Sequence, residues 1–319
     1  MDPKILIEKL TASVRDVPAH ANVLALRQRP LDEMEQRTKR FLATLGEAFK
    51  LPMREGEWVP RQDRTLIRMS LGATAVLHHN SGALSVQTGL QPMESLFPDV
   101  GTPQSLTRMV EDVLVQTKLR DWISPGTSLK FERLWQIKAA ATGREGKTLK
   151  HVKPLLCRAV GAYRHFVEEL PVWGSPAVAL KIAGGGKLDA LHVHVRETSG
   201  EVIDRPAILR PEEAARRIAS QLAVLMGKSK INLDEAAKPE WLRFGFLSLS
   251  KRKAQRLLAP TYIAAVRIEG QQEAQAYMFA VPATEVAYLS LPLFGHEAPS
   301  GRQRPAVAIP IAVKEETAA

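Results

Sequence analysis

Apolar residues recur at helical spacing in three stretches of the chain and alternate with polar ones over most of the rest. Leu31, Met34, Phe41, Leu42, Leu45 and Phe49 form one stripe, preceded by Pro30 and with Asp32 and Glu33 in the first turn, which predicts a helix from Leu31 to Phe49. Leu106, Met109, Val110, Val113 and Leu114 fall on one face of a second helix, Pro103 to about Lys118, with Thr102 as its N-cap. Ala214, Ile218, Leu222 and Leu225 mark a third, opened by Arg210-Pro211-Glu212-Glu213 and ended at Gly227.

Strands are expected within Arg61 to Val86, with the clearest alternation in Thr74 to His79 and Ala83 to Val86 around the turn Asn80-Ser81-Gly82. Further strands are expected at Leu129 to Ile137, Leu155 to Val167, Ala177 to Ile182, Leu188 to Val195, Leu242 to Ser248, Tyr262 to Ile268 and Gln275 to Val281. The polar segment from Thr142 to Lys147 is expected to be a loop, and Gly184-Gly185-Gly186 a hairpin turn. The proline-bearing end of the chain is expected to be extended or irregular.

The order of elements repeats. A strand from Gly72 to Leu77, its hairpin and the Thr102-Pro103 helix can be laid on Gly174 to Leu180, its hairpin and the Arg210-Pro211 helix. The physical content is a helix covering an antiparallel sheet, twice, so the expected class is α+β. The expected division is a first unit over residues 1–125, a second over 126–290 and an irregular segment over 291–319.

Composition adds exclusions. The 319 residues carry a formal charge of +10 and a single cysteine, Cys157, which removes disulfide frameworks and cysteine zinc fingers. No run of about 18 apolar residues suggests a membrane-spanning helix. The N-terminus Met1 to Glu8 lacks the apolar core of a signal peptide, as expected of a cytoplasmic protein or an exported mature form. The basic residues are scattered; the dense group Lys251, Arg252, Lys253 and Arg256 holds no aromatic and reads as a solvated turn, so a nucleic-acid partner is not expected.

Val167-Glu168-Glu169-Leu170-Pro171-Val172-Trp173-Gly174, after the strand Tyr163-Arg164-His165-Phe166 and before the hairpin from Val178 to Val195, resembles the propeptides of thermolysin-like and fungalysin-like metallopeptidases. Leu209 to Ala215 looks like the start of their PepSY helix. Lys238 to Leu242, Leu258 to Tyr262 and Met278 to Ala283 look like the strands that follow. Glu168-Glu169 stands where that family usually has Asn-Gly. The resemblance covers roughly Leu155 to Thr284. It implies tandem cystatin-like or PepSY-like units, a role in inhibiting or chaperoning another protein, and residence outside the cytoplasm. No His-Glu-x-x-His occurs in the chain, so no zinc peptidase helix is present in the sequence.

Candidate chemistry is sparse. His192 and His194 lie two apart on an expected strand, so they share a face and could hold a metal with His165; a half-exposed strand with both histidines in water explains the same spacing. Cys157 beside Arg158 lacks a local base and reads as a buried thiol. The glycine run lacks the residues of a nucleotide loop, and no cofactor is called for.

The sequence therefore leads to a non-catalytic binding, inhibitory or assembly protein that engages a protein partner through a sheet face or strand edge. Tyr163, His165, Phe166, Leu170, Val172 and Trp173 are its candidate binding residues on the family analogy. The alternative is a small isomerase, cyclase or hydrolase, with His165, His192 or His194 as general base in an apolar pocket. A closed cavity with one of these histidines at its base would favour the enzyme, and a filled core with a bare edge the binder.

Overall fold

The computed structural model describes residues 3–51, 53, 56–99, 101–123, 128–139, 142–145, 148–151, 154–227, 233–269 and 275–291. The expected irregular C-terminal segment lies almost wholly outside them. The helices are α1 (Lys4–Ala12), α2 (Leu31–Phe49), α3 (Pro103–Gln116), α4 (Leu119–Trp122), α5 (Pro211–Met226) and α6 (Leu233–Ala236). The strands of the first part of the chain are β1 (Val23–Leu26), β2 (Gly56–Pro60), β3 (Arg64–Met69), β4 (Thr74–His78), β5 (Leu84–Gln87), β6 (Ser128–Ala139), β7 (Thr142–Glu145) and β8 (Thr148–His151). Those of the remainder are β9 (Leu155–Val167), β10 (Leu170–Trp173), β11 (Val178–Ile182), β12 (Leu188–Val193), β13 (Thr198–Asp204), β14 (Ala237–Leu247), β15 (Leu257–Leu258), β16 (Pro260–Ile268) and β17 (Gln275–Pro282).

The α+β class holds: helices lie on a large mixed sheet. Its axis is β9, a 13-residue strand of almost uninterrupted burial. One edge of β9 meets β10 at Phe166 and Val167 and β11 from Ala159 to Tyr163. From β11 the sheet runs through β12, β5, β4 and β3 to β2; from β10 it runs through β14 and β16 to β17. Antiparallel pairing of β12 with β5 joins the two halves of the sequence, and β10 pairs with β14 in parallel. A separate three-stranded sheet has the order β13-β1-β15.

Two buried clusters result. In the first, Phe41, Leu42 and Leu45 of α2 and Leu106, Val110 and Val113 of α3 meet Leu77, Leu84, Leu180 and Leu191 of the sheet. Gly161 of β9 makes this approach possible, because a Cβ there would overlap Val110 Cγ1. Thr102 caps the start of α3, as the Thr-Pro opening predicts, and Ser105 accepts from the Thr102 N–H in return, closing a reciprocal capping box. In the second cluster, Leu6, Ile7 and Leu10 of α1 and Ile218 and Leu222 of α5 pack on Leu242, Tyr262, Val266 and Phe279.

Two local expectations change. The expected loop from Thr142 contains β7, paired with β8 as a ribbon. That stretch has no apolar alternation, so a ribbon held by backbone pairing left no mark in the hydrophobic pattern. Glu168 and Glu169, at the Asn-Gly position of the resemblance, have φ of 49° and 63°, so both take the left-handed conformation that such a turn demands. Each residue without glycine's freedom costs about 1–2 kcal/mol there. Glu169→Gly is expected to raise the unfolding free energy by about 1 kcal/mol in urea. A loss of stability would show that the exposed Lys130–Glu169 contact at 3.3 Å outweighs backbone strain.

Candidate functional site

The twelve residues of β6 form the longest unpartnered edge of β9's neighbourhood. They pair with β9 from Ser128↔Phe166 to Ala139↔Leu155, and among the described residues β6 has no strand on its other side. An unpaired strand edge presents a row of backbone donors and acceptors for another chain. A register shift between Phe131 and Arg133 changes which face each side chain takes. Phe131, before the shift, lies edge-on to Tyr163 at 5.6 Å between ring centres, on the α3 side. After it, Trp135 pairs with Val160 and Ile137 with Arg158, on the sheet face turned away from α3.

The result is an apolar strip. Trp135 is 41% exposed and Ile137 45%, and Leu155 at the start of β9 is exposed beside them. The Arg133 guanidinium stands 5.4 Å from the Trp135 ring, and Lys138, after a second register shift and one residue before the end of β6, is exposed. Glu132 is taken up internally: Arg164 donates to both its oxygens, at 2.6 and 2.8 Å from Nη2. Burial alone would raise the Glu132 carboxyl, but the Arg164 and Arg133 guanidiniums override it and hold the group below its ordinary value. The exposed strip is therefore apolar with a basic border.

The residues expected from sequence to bind a partner sit inside the sheet. Tyr163, His165 and Val172 are buried. Tyr163 pairs with Phe131 on one side and Val178 on the other, and β10 lies between β9 and β14. Phe166 is half-buried under Lys130 Nζ at 4.3 Å, and Leu170 packs into the core. Trp173 stacks on Trp241 with ring centres 6.4 Å apart, donates Nε1–H to the Phe244 carbonyl at 2.9 Å, and has Arg164 and Arg243 over its ring.

The histidines do not converge. His192 is exposed, whereas His194 is buried, a correction to the reading that both face water: β12 stops at Val193, and its alternation does not reach His194. His192 pairs with Ala179, which pairs with Ala162, whereas His165 follows Tyr163 on the other side of β9. No group of three His, Cys, Asp or Glu placed to hold a metal occurs among the described residues. Burial pushes His165 down to about 4, and neither of its ring nitrogens has a hydrogen-bond partner. Burial, with Arg196, His78 and Lys251 close by, does the same to His194. Cys157 is buried, its Sγ 3.6 Å from the Leu155 carbonyl. Sequence reasoning found β6 as a strand; that it is an edge depends on pairings that no local pattern records.

No protein-family model and no curated protein matches the chain. A solved structure of an uncharacterized protein from Eubacterium rectale is similar over 85% of this chain and 87% of that one, with 10% identity and a TM-score of 0.48. The fold defines an α+β protein, and no helix among the described residues is long and apolar enough to cross a membrane.

Proposed function

We propose that the chain is a non-catalytic binding protein that captures an extended segment of another polypeptide as an added strand along β6. The observation that carries this reading is a 12-residue edge with one side paired and Trp135 and Ile137 held out beside it. Backbone pairing supplies affinity in such a mode, and pockets for alternate side chains supply specificity. Arg133 and Lys138 favour a segment that carries Asp or Glu between its apolar residues. The finer view, two cystatin-like or PepSY-like units, rests on the repeated order of elements in the sequence; each of the two buried clusters draws residues from both sides of residue 125. The enzyme reading receives less support. A cavity of about 80 Å³ exists between α2 and the turn after β4, but His165, His192 and His194 do not line it.

Selection from a displayed random peptide library on the wild-type chain, followed by titration against Trp135→Glu/Ile137→Glu, tests this function. Peptides with alternating apolar residues and acidic neighbours are expected, losing at least about tenfold in affinity to the double variant. Because Trp135 and Ile137 are less than half exposed, urea unfolding of the double variant accompanies the titration, and only a variant that remains folded is compared. Peptides that bind both proteins equally, or a concentration-dependent dimer abolished by the same substitutions, would take the edge away from a foreign segment.

A further inference from the structure

The cavity between α2 and the hairpin turn at Asn80 to Gly82 has a composition that the polypeptide-binding edge does not use. Arg27, Arg29, Arg37 and Arg196 all line it, with Trp122 and His79. Two carboxylates offset them. Glu197 is paired with both Arg29 and Arg37, and Glu33 with Arg29 and, at 3.8 Å, Arg27. Four guanidiniums against two carboxylates leave two positive charges without a counter-charge around a partly open cavity.

Arg196 is the most demanding of the four. It is only 5% exposed, and no carboxylate among the described residues pairs with it. Its Nη2 donates to the Lys253 carbonyl at 2.7 Å, and its longer contacts, all at 3.4 Å, are to the carbonyls of Asn80, Leu249 and Ser250. Its buried Nε has no hydrogen-bond partner among the described residues. A guanidinium kept from water without an anion is costly, and the desolvation shows as a downward push to about 10, which still leaves it charged at neutral pH.

Arg37 offers unused donors. Its Nη1 is spent on Glu197 and its plane lies 4.5 Å from the Trp122 ring, which itself stacks on Phe41 at 4.8 Å. Nε and Nη2 of Arg37 have no hydrogen-bond partner among the described residues. The ring thus fixes the guanidinium in place with donors to spare, a preorganised arrangement for an acceptor. Arg27 stands at the mouth with its side chain half exposed.

We infer that this cavity is a binding site for a phosphate group, as the free ion or as a monoester. Charge and shape favour this class over a carboxylate. A phosphate monoester carries about −1.5 to −2 at neutral pH, which matches the uncompensated charge, whereas a carboxylate would leave one positive charge behind. The arginines come from β1's end, α2 and the segment after β12, and so approach from several directions. A tetrahedral acceptor meets such donors better than a planar one. The volume, about 80 Å³, is several times the roughly 10–15 Å³ that a single water needs on the same measure.

Titration calorimetry of the full chain with inorganic phosphate, glycerol phosphate and acetate, at ionic strength held constant with sodium chloride, decides the matter. Saturable heat is expected for both phosphates, with acetate at least about tenfold weaker. Arg37→Gln is expected to raise the half-saturating phosphate concentration about tenfold or more, in keeping with the loss of charge-assisted hydrogen bonds. Arg27→Gln, at an exposed position that folding does not need, should raise it several-fold and stands in if Arg37→Gln fails to fold. Tighter binding of glycerol phosphate than of the free ion assigns the monoester as source, and the reverse order assigns inorganic phosphate. The inference is overturned if phosphate gives no saturable heat, if acetate binds as tightly, or if Arg27→Gln leaves the titration unchanged.

Discussion

Acidification from pH 7 to pH 5 is expected to cost the fold on the order of 5 kcal/mol, a large part of the stability of an ordinary domain. The main source is three buried histidines, His78, His165 and His194, each held at about 4 against an ordinary value near 6.5; burial, with Lys251 and Lys181, pushes His192 down as well. Burial is the main cause in all three. Around His78 the cations Lys251, Arg252 and Arg64 add to it while Asp63 opposes; at His165 Glu197 opposes. Because the folded value lies below the unfolded one, the unfolded chain binds more protons through this range. Stability is then complete above about pH 6.5 and declines as the pH falls toward 4. Glu132, held below its ordinary value, lies outside this window. Urea unfolding at pH 7, 6 and 5 measures the slope. His165→Leu, which removes two buried ring nitrogens without partners, should flatten it by about one third; an unchanged slope would mean that His165 is hydrated or already paired in solution.

Asp189→Ala is expected to destabilise the protein by about 3–5 kcal/mol, the usual cost of stranding a buried charge. Arg158 is 4% exposed and donates Nε–H to Asp189 Oδ2 at 2.8 Å, with Lys181 Nζ 3.0 Å from the same oxygen. The remaining Arg158 donors reach the carbonyls of Gln91, Glu94 and Cys157 at 2.6, 3.1 and 2.8 Å. One ion pair thus pins the segment between β5 and α3 against β9. Its loss would leave the guanidinium inside with only neutral acceptors. Arg158→Met/Asp189→Leu should recover most of the loss, because an apolar pair of similar volume avoids both desolvation costs. A single-variant loss under about 1 kcal/mol would mean that water already reaches Arg158.

Local pattern and long-range pairing left unequal traces in the sequence. Helices α2, α3 and α5 were legible because each shows an apolar stripe with proline or a cap at its start, and the buried residues of α2 include Met34, Phe41, Leu42 and Leu45 as the stripe predicts. Helix α1 is short, and its Leu6, Ile7 and Leu10 sit among charges that hide the stripe. Strands β1 and β15 have only four and two residues, too few for alternation to register, and β13 is almost wholly exposed. The union of β12 with β5 joins residues about a hundred positions apart, which no window of sequence contains.

The same distinction governs the candidate sites. Trp135 and Ile137 were visible as strand residues, but their exposure follows from β6 having β9 on one side alone. The arginines of the cavity are far apart in sequence, at Arg27, Arg29, Arg37 and Arg196, and only the packing of α2 beside the segment after β12 gathers them. The scattered basic charge of the chain therefore contains one local concentration that linear spacing conceals.

As a docking edge for an extended polypeptide, β6 should change its backbone hydrogen bonding when a peptide binds. Hydrogen exchange of the full chain, with and without a peptide selected on it, reads this out residue by residue. Amides of residues 128–139 that face away from β9 are expected to exchange freely in the unbound protein and to become protected when the peptide is bound. Protection that falls elsewhere, with exchange along β6 unchanged, would contradict the account.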